Sequence, residues 1–321
     1  MDKLHAGIRE IKIENFRGID CLHLSFVGPN DYPTQVVVLA GPNGCGKTAV
    51  LEACLLVTGH ERLILGPSGG DAIRVGTDDY DIAATVQVKS EQTPLSCDSS
   101  GGVGSDLGQC RYFSSRRASS LVGSVGITVG QISFGPPPME DERLQQIKQL
   151  LVNARAHELF PSGGSGEENT ASRFSHKMDK LNDVWQRFYP SQTFSAEAVK
   201  DDPTAGFDVF VTSGKQGRLP VDSLSSGQME LFVFAGTLIL DKLEEGIIFI
   251  DEPELHLDPQ WHRLLLRMLA LLKPRSQIVV ATHSPEVYDS VRSFERHFLV
   301  PSDDPRADSW HSDRISQGVD E

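Results

Sequence analysis

The chain has 321 residues, 39% hydrophobic and 23% charged, with a net charge of −14. That composition supports a sizeable globular core and excludes an overall basic coat for nucleic acid, leaving open only a local basic groove or a basic partner. No apolar stretch is long enough to span a bilayer, the start is not a signal peptide, and the five cysteines (Cys21, Cys45, Cys54, Cys97, Cys110) form no C-x-x-C pair, so free thiols in a reducing cytoplasm are expected.

Residues 8–13 and 21–26 alternate apolar and polar side chains, which predicts an antiparallel strand pair around the turn Asn15-Phe-Arg-Gly18. Residues 36–40 (Val-Val-Val-Leu-Ala) predict a buried strand and 49–57 a helix. A loop over 66–70 and a strand over 81–89 follow. Residues 90–109, rich in Ser, Gly and Thr, read as a long mobile loop. Arg111, Arg116 and Arg117 then gather around Tyr112 and Phe113. Two readings of that cluster stand: a strand end with a solvated basic edge, or a contact to nucleotide or nucleic acid. Residues 124–134 hold a further alternating run, stopped by Pro136-Pro-Pro138. Leu144, Ile147, Leu151 and Ala154 fall on one helical face. A break at 161–166 leads to a second amphipathic helix marked by Phe174, Met178, Leu181, Trp185 and Phe188 and ended by Pro190. These two helices read as an inserted lobe, and neither is long enough for an extended coiled coil. The remainder predicts a strand at 207–212, a Gly-Lys-Gln-Gly turn, helix 228–243, buried strand 246–251, helix 261–272, buried strand 277–282, a last strand at 298–300 and a polar tail at 301–321.

The chemistry-bearing motifs sit at the ends of these elements. Gly41-Pro42-Asn43-Gly44-Cys45-Gly46-Lys47-Thr48 fits G-x-x-x-x-G-K-[ST] between a strand and a helix. Its glycines let the backbone curl so that N–H groups, Cys45's among them, point at phosphate oxygens, and the helix start adds partial positive charge. Lys47 can reach the β- and γ-phosphates, and the Thr48 hydroxyl can ligate Mg²⁺. The strand at 247–250 ends in two carboxylates, Asp251 and Glu252. Beside a phosphate loop, the first can hold the Mg²⁺ shell and the second can polarise an attacking water. Leu224-Ser225-Ser226-Gly227-Gln228 opens an apolar helix and forms a second candidate anion site. By itself such a segment is an ordinary helix N-cap.

These motifs stand in order with Ile11-Lys-Ile-Glu-Asn-Phe-Arg-Gly18, Asp251-Glu-Pro-Glu-Leu-His-Leu-Asp-Pro259 and Thr282-His-Ser-Pro-Glu286. With them, the chain resembles an ABC-type ATPase of the SMC/RecF/OLD-like group, catalogued as AAA-15 or AAA-21. The resemblance covers nearly the whole chain. It implies an α/β P-loop NTPase fold of the ABC-ATPase type, a two-lobed head with a mixed β-sheet core and an inserted helical lobe. The nucleotide-binding lobe would comprise 1–134 and 230–300, the helical and signature lobe 135–229, and the tail 301–321. It implies ATP hydrolysis with Mg²⁺ in a head-to-tail homodimer or higher oligomer, in which the phosphate loop of one copy faces Ser225, Gly227 and Gln228 of the other. By the same resemblance Asp258 links the two sites, His283 is the switch histidine that senses the γ-phosphate, Arg17 contacts nucleotide, and Arg74 lies near ATP or DNA. Two features depart from the pattern. The glutamine loop is not evident; Gln87, Gln131 or the segment 111–117 could take its place. The chain also shows neither a long coiled coil nor a nuclease segment, so neither a full cohesin-type clamp nor a full OLD nuclease is expected.

The function this implies is an ATPase that works with a separately encoded effector, a nuclease or toxin, as in Septu-like or PARIS-like anti-phage modules. The alternative is a RecF-like DNA-repair ATPase, with DNA as its partner; the acidic balance counts against it. A transporter subunit is disfavoured by Asn15-Phe-Arg17 and by Glu254-Leu-His256. A nucleotide-gated scaffold without turnover differs from all of these in a steady-state ATPase assay.

Overall fold

A computed structural model describes residues 6–64, 69–101, 109–115, 124–125, 143–159, 168–199, 206–214, 217–240, 245–255 and 257–301. In chain order the elements are β1 (Ala6–Phe16), β2 (Ile19–Ser25), β3 (Val36–Ala40), α1 (Lys47–Val57), β4 (Asp81–Val88), β5 (Glu91–Asp98), β6 (Cys110–Phe113), α2 (Arg143–Leu159), α3 (Glu168–Trp185), β7 (Gln192–Ala198), β8 (Phe207–Ser213) and β9 (Gly217–Pro220). They continue with α4 (Ser226–Leu240), β10 (Gly246–Asp251), α5 (Pro259–Leu272), β11 (Ser276–Thr282), α6 (Pro285–Tyr288) and β12 (Arg296–Phe298). The chain divides into two compact units, 1–115 with 243–254 and 262–321, and 116–242 with 255–261.

The first unit holds two sheets. One is parallel, in the order β12-β3-β11-β10-β6; the other is antiparallel, β2-β1-β4-β5. Every residue of β3, β10 and β11 is buried, as their apolar central runs require of strands covered on both faces. Ile11, Phe16, Val50, Leu51, Phe249 and Val279, all fully buried, belong to one core. Gln277 ties the two sheets together. From β11 its Oε1 accepts from Ile8 N at 2.7 Å, while its Nε2 donates to Ile8 O at 3.0 Å and Thr34 O at 3.2 Å. A fully buried amide is tolerated there because its donors and acceptor are matched.

The long loop expected over 90–109 is corrected in its first half. Residues Glu91–Asp98 form β5, paired antiparallel with β4 in the register Ile82↔Cys97 and Val88↔Glu91. Lys89, at φ 56, makes the turn. The strand lies at the sheet edge, buries little and carries Pro94, which an edge position accepts; its composition therefore looked like a loop. The five cysteines are free. Burial lifts the thiols of Cys54 and Cys110 far above their ordinary range, and that of Cys97 to about 12.

The second unit packs α2, α3 and α4 with the antiparallel sheet β7-β8-β9. Leu144, Ile147, Leu151 and Ala154 are buried together on α2. Gly236 of α4 lets the two helices approach, since a Cβ there would stand 3.0 Å from Ile147. Helix α3 ends at Trp185 rather than Pro190. The chain tightens there through Phe188 N to Trp185 O at 2.9 Å, a narrower i→i+3 final turn. Trp185 and Phe188 are buried, and the Trp185 ring meets Phe194 edge-on at 4.8 Å. The run expected at 124–134 lies mostly outside the described residues, with Val125 bridging to Phe207. Among the described residues no helix is long and apolar enough to cross a membrane.

Candidate active site

Three parallel strands bring the first-unit motifs to one edge. The register pairs Asp251 with Ala281 and Thr282 with Ala40, so the segments that follow β3, β10 and β11 leave the sheet at the same carboxyl-terminal side. That side is where open parallel sheets bind ligands.

After β3 the loop turns on Gly44 (φ 79) and Gly46 (φ 92), and Gly46 caps α1 in the left-handed region with no side-chain hydrogen bond. The helix start thus keeps its N–H donors directed into the loop. Pro42, Asn43 and Gly44 are exposed at the tip, while Cys45 is buried. Lys47 is buried and folds over the loop, its Nζ donating to Gly41 O at 3.0 Å and Pro42 O at 2.9 Å, with Cys45 Sγ at 3.7 Å. Thr48 Oγ1 donates to Asp251 Oδ2 at 2.9 Å, and Asp251 is 2% exposed.

Glu252 follows with φ 52, an uncommon conformation for a residue with a side chain. Its backbone N–H is held by Ala281 O at 2.8 Å. Its carboxylate Oε1 stands 3.5 Å from His283 Nε2. Glu252, expected to polarise the water, and His283, expected to sense the γ-phosphate, are therefore neighbours, although 31 positions apart in sequence. Glu254 has a role that the sequence reading missed. Its Oε1 accepts from Thr282 Oγ1 at 2.6 Å, His283 N at 2.8 Å and Ser284 N at 3.1 Å, clamping the turn that carries His283. Next along, Ser284 Oγ donates to Glu286 Oε2 at 2.9 Å and lies 2.8 Å from His262 Nδ1. With the serine proton so committed, His262 Nδ1 is the donor of that pair. The carboxyl of Glu286 is held below its ordinary range by its own backbone N–H and by Ser284.

Other candidates are placed differently. Arg17 (φ 53) pairs with the buried Glu52 of α1, and burial lowers its guanidinium from its ordinary value. Arg74 faces Asp20 at 3.3 Å. Gln87 is buried, accepting from Arg9 at 2.7 Å and donating to Lys89 O at 3.1 Å, so its amide serves the antiparallel sheet rather than a glutamine loop. Arg111 lies on β6, its Nη1 donating to Cys110 O at 3.0 Å. Gln131, Arg116, Arg117 and His256 lie outside the described residues.

Ser225, Gly227, Gln228 and Asp258 belong to the second unit. Ser225 and Gln228 form a reciprocal cap: Gln228 N donates to Ser225 Oγ at 3.4 Å, and Gln228 Oε1 accepts from Ser225 N at 3.2 Å. This is the Ser-x-x-Gln capping box, and Ser225 and Ser226 are exposed at the start of α4. Asp258 caps α5, its Oδ1 accepting from Gln260 N at 3.1 Å, with Pro259 opening the helix.

Among the described residues no cluster of three or more His, Cys, Asp or Glu could hold a metal alone. The oxygen pair Thr48–Asp251 nevertheless fits Mg²⁺, which prefers hard oxygen donors and takes few from protein when phosphates and water complete its shell.

Comparison with known proteins agrees with this geometry. A family model described as "AAA domain, putative AbiEii toxin, Type IV TA system" matches residues 141–289. A second AAA-domain model matches 10–121. A Septu protein PtuA of Bacillus thuringiensis is 26% identical over 87% of this chain and 72% of its own length. Another, from Bacillus mycoides, is 23% identical, and the chain spans 38% of it. A "Retron Vc95 probable ATPase" of Vibrio cholerae is 42% identical over 27% of this chain and 17% of its own. Among solved structures, an Smc head bound to the C-winged helix domain of ScpA superposes with a TM-score of 0.57 at 15% identity, over 91% of this chain and 97% of that one. The Smc head of Pyrococcus furiosus gives 0.55 at 12% identity, over 98% and 100%. From the motifs, the sheet that assembles them and these matches, the chain has the α/β fold of the ABC-type P-loop ATPases and resembles stand-alone defence ATPases of the SMC/RecF-like group.

Proposed function

We propose that this protein hydrolyses ATP between two head-to-tail copies of itself and uses that cycle to switch a separately encoded nuclease or toxin in cytoplasmic anti-phage defence. The observation that carries the enzymatic part is the convergence of Thr48, Asp251, Glu252 and His283 at one sheet edge. In this reading the loop N–H groups and Lys47 bind the triphosphate, with Thr48 and Asp251 holding Mg²⁺ through oxygen. When bound, the ion neutralises charge on the β- and γ-phosphates. The Glu252 carboxylate takes the proton of the attacking water. His283, turned towards the carboxylate, senses the γ-phosphate. Ser225 and Gly227 of the second copy close the site with the start of α4. The Septu match over 87% of the chain, the retron match and the family description that names a "Type IV TA system" support the defence setting.

The shared site is tested by mixing two inactive variants. Lys47→Ala and Ser225→Arg should each hydrolyse ATP at background. Their mixture should recover activity, about a quarter of wild type for random pairing with independent sites. A mixture no better than its parts overturns the reading.

Glu254 provides a finer expectation. Glu254→Ala removes the acceptor from three donors and should lower kcat about 10²-fold through misplacement of His283, with the KM for ATP little changed. Glu254→Gln, which keeps an acceptor oxygen, should recover part of the loss. Steady-state phosphate release over a range of ATP concentrations checks both.

A further inference from the structure

Helix α2 breaks its own pattern. Leu144, Ile147 and Leu151 form its buried stripe, and the same face carries Lys148, which is 0% exposed. A lysine in that position requires partners, because an unpaired buried ammonium costs several kcal/mol. Its Nζ donates to Asp208 Oδ1 at 2.7 Å on β8 and to Asp222 Oδ2 at 2.5 Å. The two carboxylates are not equivalent in what they anchor. Asp208 stays with its strand, its Oδ1 also accepting from Val209 N at 2.7 Å. Asp222 lies in the 3-10 turn Val221–Ser223, two residues before Leu224 and three before Ser225.

Beyond Asp222 the chain leads directly into the capping box. Leu224 N is held by Val221 O at 3.0 Å, and Ser225 and Gln228 then satisfy each other at the exposed helix start. The cap is locally self-contained, so its bonds fix its internal shape. The Lys148–Asp222 pair ties the start of this segment to α2, beside the β8–β9 ladder that ends at Phe210↔Pro220. Charge-assisted bonds are roughly twice as strong as neutral ones.

We propose that Lys148, acting through Asp222, is a positioning residue that aims residues 224–228 at the nucleotide of a second copy. The proposal rests on the shared-site reading above. It requires that loosening the anchor weaken ATP-dependent closure without weakening nucleotide binding by a single copy.

The test compares Asp222→Asn with Asp208→Asn, each in the Glu252→Gln background and each alone. Both substitutions remove one carboxylate from the same ammonium. Lys148→Met is the harsher third variant, which removes the ammonium from the buried Asp208 and the half-buried Asp222 and serves as a folding control. Sizing with ATP should show Asp222→Asn weakening dimerisation about tenfold or more, the loss expected for one charge-assisted bond. ATP affinity measured at dilutions that keep the chain monomeric should stay within about twofold of wild type, a shift small beside that tenfold loss. Asp208→Asn should lower the melting temperature comparably and leave dimerisation intact. Hydrogen exchange without nucleotide should rise across residues 223–229 in Asp222→Asn and not in Asp208→Asn. Equal effects of the two substitutions on dimerisation, or unchanged exchange at 223–229, overturn the proposal. Failure of Glu252→Gln itself to dimerise would overturn the shared-site reading instead, and the exchange experiment would still decide the role of Lys148.

Discussion

Glu252→Gln should reduce steady-state ATP hydrolysis by about 10²–10⁴-fold, the range lost with a general base, while ATP is still bound. The amide keeps the size and an acceptor oxygen of the carboxylate but cannot take the water's proton. The left-handed backbone at Glu252 (φ 52) is held by the bond to Ala281 O, so the side chain should keep its place beside His283. ATP should then accumulate in a closed dimer or larger assembly, visible by sizing with ATP and absent with ADP. The same trapped form, used as bait beside Lys47→Ala, should retain the effector protein selectively. Equal, near-zero turnover in wild type and variant would leave a nucleotide-gated scaffold in place of an enzyme. A monomer with ATP at all concentrations would remove the dimer.

Gly41→Ala should be nearly as damaging, for a purely steric reason. A Cβ at this position would stand 2.4 Å from Leu299 O and 2.7 Å from Cys45 Sγ, with φ at +155. Leu299 cannot retreat easily, because its N–H is bonded to Ala40 O at 2.7 Å and its side chain is 3% exposed. The glycine loop must give way instead, with it the position of Lys47, whose Nζ is bonded to Gly41 O. The expected results are a stability loss of about 1–3 kcal/mol, the usual cost of overpacking, and loss of measurable ATP binding. Denaturant melts and nucleotide titration check them. A variant that binds ATP like wild type would show that the loop tolerates a shape this geometry forbids.

The parts of the site that were legible in the sequence are those whose chemistry depends on fixed local spacing. Residues 41–48 announce a strand–loop–helix, the pair Asp251 and Glu252 ends an unbroken apolar run, and the structure sets Thr48 against Asp251 and Glu252 against His283. The illegible parts depend on partners far along the chain. Glu254 stood in full view after Pro253, yet its three donors lie 28–30 residues away. Nothing local to Arg17 reveals Glu52 as its partner. Strand β5 was mistaken because an edge strand need bury only one face, and Glu91–Asp98 buries little of that. Lys148 did leave a signal, a cation within an apolar stripe, but its carboxylates come from 60 and 74 residues downstream.

The strand order has a consequence for how the protein is made. β3, which leads into the glycine loop, is flanked by β11 and β12, and Gln277 satisfies Ile8 across 269 positions. During translation the early strand therefore emerges with neither neighbour available, and its apolar edges must wait until residues 276–298 have left the ribosome. Pairing at such sequence separation is slow and leaves sticky intermediates exposed. Nascent chains shorter than about residue 282 should thus bind chaperones and lack ATP affinity, so that nucleotide capture waits for β11 to emerge.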